Sequence, residues 1–180
     1  MVLVGALSRI GLVEFPNIKP VAALALMAGF YFSRVRVAII GVVLMMIVSD
    51  LWLGGYELQL AFCVYGSMMI ACAMGWLIAR STTRDASQWR AVDAGKFGLA
   101  SLSMSTVFFL LTNFGVWAGG LWYERTLAGL AECFTLAMPF YRATLMGDFL
   151  FTGLLVAGYW AGCMIQNRLM ESRLVPKKIS

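Results

Sequence analysis

The side chains of this chain that could do chemistry are few, and each stands at the edge of an apolar stretch. Asn17 sits in a turn between Pro16 and Pro20, and Asp50 closes an apolar run just before Trp52. Asn113 and Trp117 lie one helical turn apart and so share a face. Arg142 and Asp148 flank the entry to the last apolar segment. An amide, two carboxylates, a guanidinium and an indole are groups that grip a small polar molecule; a guanidinium in particular matches a carboxylate or phosphate. Catalysis is a poorer fit. Histidine is absent, which removes imidazole bases, proton relays and imidazole metal ligands. Cys63, Cys72, Cys133 and Cys163 have no ligand spacing, and Cys63 and Cys72 fall on opposite faces of one helix. No Ser–Lys or paired-carboxylate arrangement sits within a helix. The expectation is a binding protein without metal or cofactor, not an enzyme.

What must position these residues is a set of membrane helices. Hydrophobic residues make up 61% and charged residues 13% of the 180 positions, about half the charged share of a soluble domain. No fold in water hides that much apolar surface, so the solvent is a bilayer. The whole chain, 1–180, reads as one transmembrane domain, with no cleavable signal and no soluble module. The expected architecture is all-α, a polytopic six-helix bundle. Its spans run about Met1–Val13, Pro20–Phe32, Val37–Trp52, Leu58–Ala79, Phe97–Trp117 and Gly147–Ile165. The first is short, covering about 20 Å of a ~30 Å hydrocarbon core. Residues 80–96 form a polar loop, 118–146 a connection amphipathic enough to carry an interfacial helix, and 166–180 a basic tail.

Charge orients the bundle. With both termini cytoplasmic, ten of the fourteen basic residues fall inside: Arg34, Arg36, Arg80, Arg84, Arg90, Lys96, Arg168, Arg173, Lys177 and Lys178. Lys19, Arg125 and Arg142 fall outside and Arg9 lies within the short first span, a strong positive-inside bias. The net charge of +5 therefore reports orientation in a membrane, not nucleic-acid binding. All six site residues (Asn17, Asp50, Asn113, Trp117, Arg142, Asp148) then gather at the outer mouth.

Plainer readings stand beside these. Trp52, Trp117, Trp122 and Tyr123 suit an interfacial aromatic belt, and Arg142 could tie structurally to Asp148. Ser101, Ser103, Ser105 and Thr106 have acceptors in their own helix carbonyls. Ala22, Ala25 and Gly29 form a small-residue face that serves either packing within the bundle or docking of a partner.

The windows Asn17-x-x-Pro20-Val21-Ala22-Ala23-Leu24-Ala25-Leu26, Ser49-Asp50-Leu51, Thr112 to Trp117, Thr126 to Leu130 with Glu132-Cys133, and Pro139-Phe140 through Gly147-Asp148 resemble an uncharacterised bacterial family of small integral membrane proteins. That family looks related to the substrate-binding (S) subunits of energy-coupling-factor vitamin transporters. The resemblance covers nearly the whole chain after about Ala6. It implies capture of a vitamin or cofactor precursor at the outer face. It also implies docking through Ala22, Ala25 and Gly29 onto a membrane coupling subunit driven by two ATPases. The short first span departs from that pattern, and the chain has no Walker motif, so any ATP use belongs to partners. The alternative is a non-transporting accessory subunit of a larger membrane complex.

Overall fold

The computed structural model describes residues 2–11, 20–120 and 122–174. Among them every regular element is helical: α1 (Val2–Gly11), α2 (Val21–Tyr31), α3 (Val35–Leu53), α4 (Leu58–Ser81), α5 (Ala91–Gly119) and α6 (Leu127–Leu174), with a 3₁₀ turn at Ala86–Gln88. The helices α3 to α6 are long and apolar enough to cross a membrane. With 10 and 11 residues, α1 and α2 each rise only about 15 Å, half of a hydrocarbon core.

Short side chains and turn residues set these limits. Gly54 and Gly55 take left-handed backbone at φ 88° and 67° and stop α3, and the Gly54 N–H closes on the Asp50 carbonyl. Gly120, at φ 68°, ends α5 in the same manner. The Thr126 hydroxyl then accepts the Gly129 N–H at 3.1 Å and starts α6. From there α6 runs 48 residues without a break, through Pro139, about 72 Å. The segment 118–146, expected as a connection with its own interfacial helix, is thus a tight turn followed by the first turns of α6. Proline removes one main-chain hydrogen bond from a helix, and here the flanking apolar turns continue regardless. The polar loop is also shorter than 80–96, since Arg80 and Ser81 end α4 and Ala91 already begins α5. Of the basic tail 166–180, residues up to 174 continue α6 and the rest lie outside the described residues.

Helix α2 sits at the centre. Nine of its eleven residues are buried, as befits a helix apolar on all sides. Its contact with α4 is backbone to backbone: a Cβ on Gly29 would strike the Cys72 carbonyl, and one on Gly75 the Leu26 carbonyl. The face of Ala22, Ala25 and Gly29, offered above for docking, is covered in this way inside the bundle. Close approach through small residues is how helices associate where lipid, not water, is the competitor.

Antiparallel connections give the bundle two ends. The lower end, at 32–34 and 82–90, is closed. Phe30 is fully buried among Trp89, Phe97 and Tyr159, with ring centroids 5.1–5.7 Å away. Arg84 donates to the Tyr31 carbonyl and Ser33, and Tyr159 donates to the Arg84 carbonyl at 2.6 Å. The Asp85 carboxylate accepts from Ser87, Gln88 and Asn167. These donors, the Ser87 hydroxyl foremost, hold it below the usual carboxylate range.

Candidate functional site

The upper half of the bundle, between 20, 54–57 and 120–126, holds buried charge. Arg9, in the last turn of α1, is 2% exposed. Its Nη1 lies 2.8 Å from Asp50 Oδ1, off the line of a directed hydrogen bond, so charge rather than an N–H contact satisfies that oxygen. The same nitrogen donates to Ser49 Oγ and to the Met46 carbonyl, while Nη2 donates to the Tyr56 hydroxyl at 2.9 Å. From α4 the Tyr65 hydroxyl donates to Asp50 Oδ2 at 2.7 Å. A charge inside a membrane protein persists where it is paired or functional. Arg9 and Asp50 are paired.

The second charged group is Asp148 on α6, 5% exposed. Its Oδ2 accepts from the Ser105 hydroxyl of α5 at 2.7 Å. No cation reaches this carboxylate among the described residues. A polar seam continues below it, where Thr152 meets Ser101 at 3.4 Å. The hydroxyls of Ser103 and Thr106 bond back to the carbonyls four residues earlier, as expected from their positions, and for Ser105 the Ser101 carbonyl at 3.1 Å is an alternative acceptor to Asp148.

Between these groups lies a cavity of about 130 Å³, bordered by Arg9, Tyr56, Phe108, Thr144 and Asp148 among others. A second, of about 260 Å³, adjoins it between α5 and α6; the two share Phe108 and Thr144. Asn113 and Tyr141 line the second. Both cavities open among apolar side chains with a few polar groups converging, the usual make-up of a small-molecule site.

The predicted site residues separate accordingly. Asp148 borders the first cavity, Asp50 anchors the Arg9 that borders it, and Asn113 borders the second. The Asn113 amide donates to the Phe109 carbonyl at 2.7 Å, leaving its oxygen as the free part. Trp117 is engaged elsewhere: its Nε1 donates to the Glu124 and Thr126 carbonyls and fastens the α5–α6 turn. Arg142 is exposed and lines neither cavity. It does not pair with Asp148, because six residues along a helix point the two side chains about 120° apart. Asn17 lies outside the described residues. Among those described, no group of three or more His, Cys, Asp or Glu side chains could hold a metal ion.

Sequence reasoning did not place Arg9, Tyr56, Tyr65 and Thr144 at the site, and it read Ser105 only as bonding within its own helix. One signal was there to be used: Arg9 is the only charge in the first thirteen residues, and a lone charge in an apolar segment calls for a partner.

Residues 1–170 match the family described as Family of unknown function (DUF6580). No curated protein and no solved structure matches the chain.

Proposed function

We propose from the site itself that the chain, which belongs to this family of unknown function, is a substrate-capture membrane subunit. In this reading it serves an energy-coupling-factor-type importer and takes up a vitamin or cofactor precursor through the upper end of the bundle. The observation that carries the reading is the cavity bordered by Arg9 and Asp148, buried ionisable groups contributed by opposite ends of the chain. Such groups inside a membrane bundle mark a substrate or ion path by default. The first cavity alone is smaller than the ~300–1,000 Å³ that encloses a drug-sized ligand; the adjoining space along Phe108 and Thr144 extends it.

Six spans with both termini cytoplasmic belong to the same proposal. Arg34, Arg36, Arg80, Arg84, Arg90, Lys96 and Arg168 all lie toward the lower end, which supports a cytoplasmic lower end and an outward cavity. The membrane is then the bacterial inner membrane.

One observation favours the accessory-subunit alternative. Helix α6 is only 11% buried over its apolar window, with Phe140, Met146, Leu150, Leu154 and Trp160 exposed, a face that lipid or a neighbouring subunit would cover. Native mass spectrometry of protein extracted gently from its own membrane separates the two. A bound small molecule of defined mass is the expected result. A stoichiometric protein partner with no small molecule, together with no binding across a panel of vitamins, would sink the capture reading.

A further inference from the structure

The sequence places a guanidinium, Arg142, at the mouth and so suggests an anionic ligand; the geometry points the other way. We infer that the cavity takes a monovalent cationic group, seated against Asp148. The inference rests on the capture reading for its location and goes beyond it in naming the charge of what is bound.

The argument is a charge count made group by group. The ionisable side chains that face this region among the described residues are Arg9 from α1, Asp50 from α3 and Asp148 from α6, with the hydroxyls of Tyr56 and Tyr65 beside them. Helices α2 and α5 present no charge here. Arg9 already has a charge partner: its Nη1 lies against Asp50 and donates to Ser49 and the Met46 carbonyl, and its Nη2 donates to Tyr56. An anionic ligand would compete with Asp50 for that charge. Asp148 is the opposite case, a carboxylate 5% exposed whose one protein donor is the Ser105 hydroxyl and which borders the cavity. One positive and two negative groups leave a formal charge of one negative at the cavity. A buried carboxylate must be paired or protonated, and with Asp148 ionised the partner that completes this set is a cation.

Two sources carry that chemistry, an inorganic ion and the ammonium or similar group of an organic ligand. Thr144 adds a hydroxyl oxygen that suits either.

The test is thermal unfolding of the full chain in detergent, at constant ionic strength, titrated with sodium, potassium, methylammonium and tetramethylammonium chlorides, with methanol as the neutral control. The expected result is a midpoint that rises with at least one cation and not with methanol. Sodium or potassium alone would mean an ion site; methylammonium or tetramethylammonium would mean a ligand carrying such a group. In Asp148→Asn, which keeps an acceptor for Ser105, the half-maximal concentration should rise about tenfold or more. Should that variant fail to fold, Thr144→Leu, which fills the space both cavities share, is read in its place and must abolish the shift. No cation response in the wild type, or an equal response in Asp148→Asn, overturns the inference. A neutral or anionic metabolite found bound by native mass spectrometry overturns it too, while leaving the capture reading standing. A stoichiometric protein partner with no bound metabolite and no binding across the vitamin panel, with the cation response intact, does the reverse.

Discussion

The two ends of the bundle solve the problem of polar groups in an apolar protein in opposite ways. At the lower end a set of charges and hydroxyls is stitched to close neighbours: Lys96 bonds Asp93, Thr82 and the Ser81 carbonyl, and Asp85 is held by Ser87, Gln88 and Asn167. Aromatic rings fill the space beneath them. At the upper end the charges lie deeper, Arg9 and Asp50 hold each other while Asp148 has one protein donor, and space remains. The difference teaches where the protein can change. Dense local bonding resists opening, whereas a region with few contacts and a cavity opens at low cost.

Breaking the upper ion pair should have the largest effect. Arg9→Met leaves Asp50 buried with only Tyr65 for company, and removal of one partner of a buried pair costs about 3–5 kcal/mol. Thermal unfolding in detergent should show that loss, and the double variant Arg9→Met/Asp50→Leu should recover much of it. If the double variant is as unstable as the sum of the singles, the pair is not coupled as described.

Next comes the α2–α4 crossing. Gly29→Ala puts a methyl against the Cys72 carbonyl and should cost about 1–3 kcal/mol or more. Gly66→Ala, at a site on α4 with nothing within 4 Å, should be neutral or slightly stabilising through helix propensity. Equal effects of the two would contradict the close crossing.

A smaller and pH-dependent effect belongs to the lower end. The Asp85 carboxyl is depressed in the folded state, so it stabilises the fold above its unfolded value of about 3.9 and loses that contribution as pH falls below it. Stability of the wild type should therefore drop on acidification below about pH 4 more than that of Asp85→Asn. Parallel acid profiles would remove Asp85 as the organiser of this loop.

The smallest effect is expected at Arg142. The side chain is exposed and lines neither cavity, so Arg142→Ala should stay within about ±0.5 kcal/mol and leave ligand occupancy in native mass spectra unchanged. A loss of bound ligand in that variant would restore the anion-binding role that the sequence suggests.

Much of the architecture was legible before any coordinates. Long apolar runs between glycine, proline and charge predict helices near 37–52, 58–79 and 97–117, and α3, α4 and α5 span them. The continuity of α6 was not, because Pro139, Gly147 and Asp148 read locally as a break while the surrounding turns keep their hydrogen bonds. Of the six predicted site residues, Asp148 and Asn113 reach a cavity and Asp50 supports one. Trp117 and Arg142 are indistinguishable from them by residue type; only direction along the helix tells them apart.

The amino-acid sequence by itself determined the solvent, the helical class and the side on which basic residues collect, since these depend on composition and on order along the chain. The tertiary structure alone decided which charges meet. Arg9 finds Asp50 across 41 positions and Ser105 finds Asp148 across 43, and α2 closes on α4 through Gly29 and Gly75. Helix periodicity names the face a residue occupies but not the neighbour that face will meet, because that neighbour comes from a distant part of the chain and is chosen by packing.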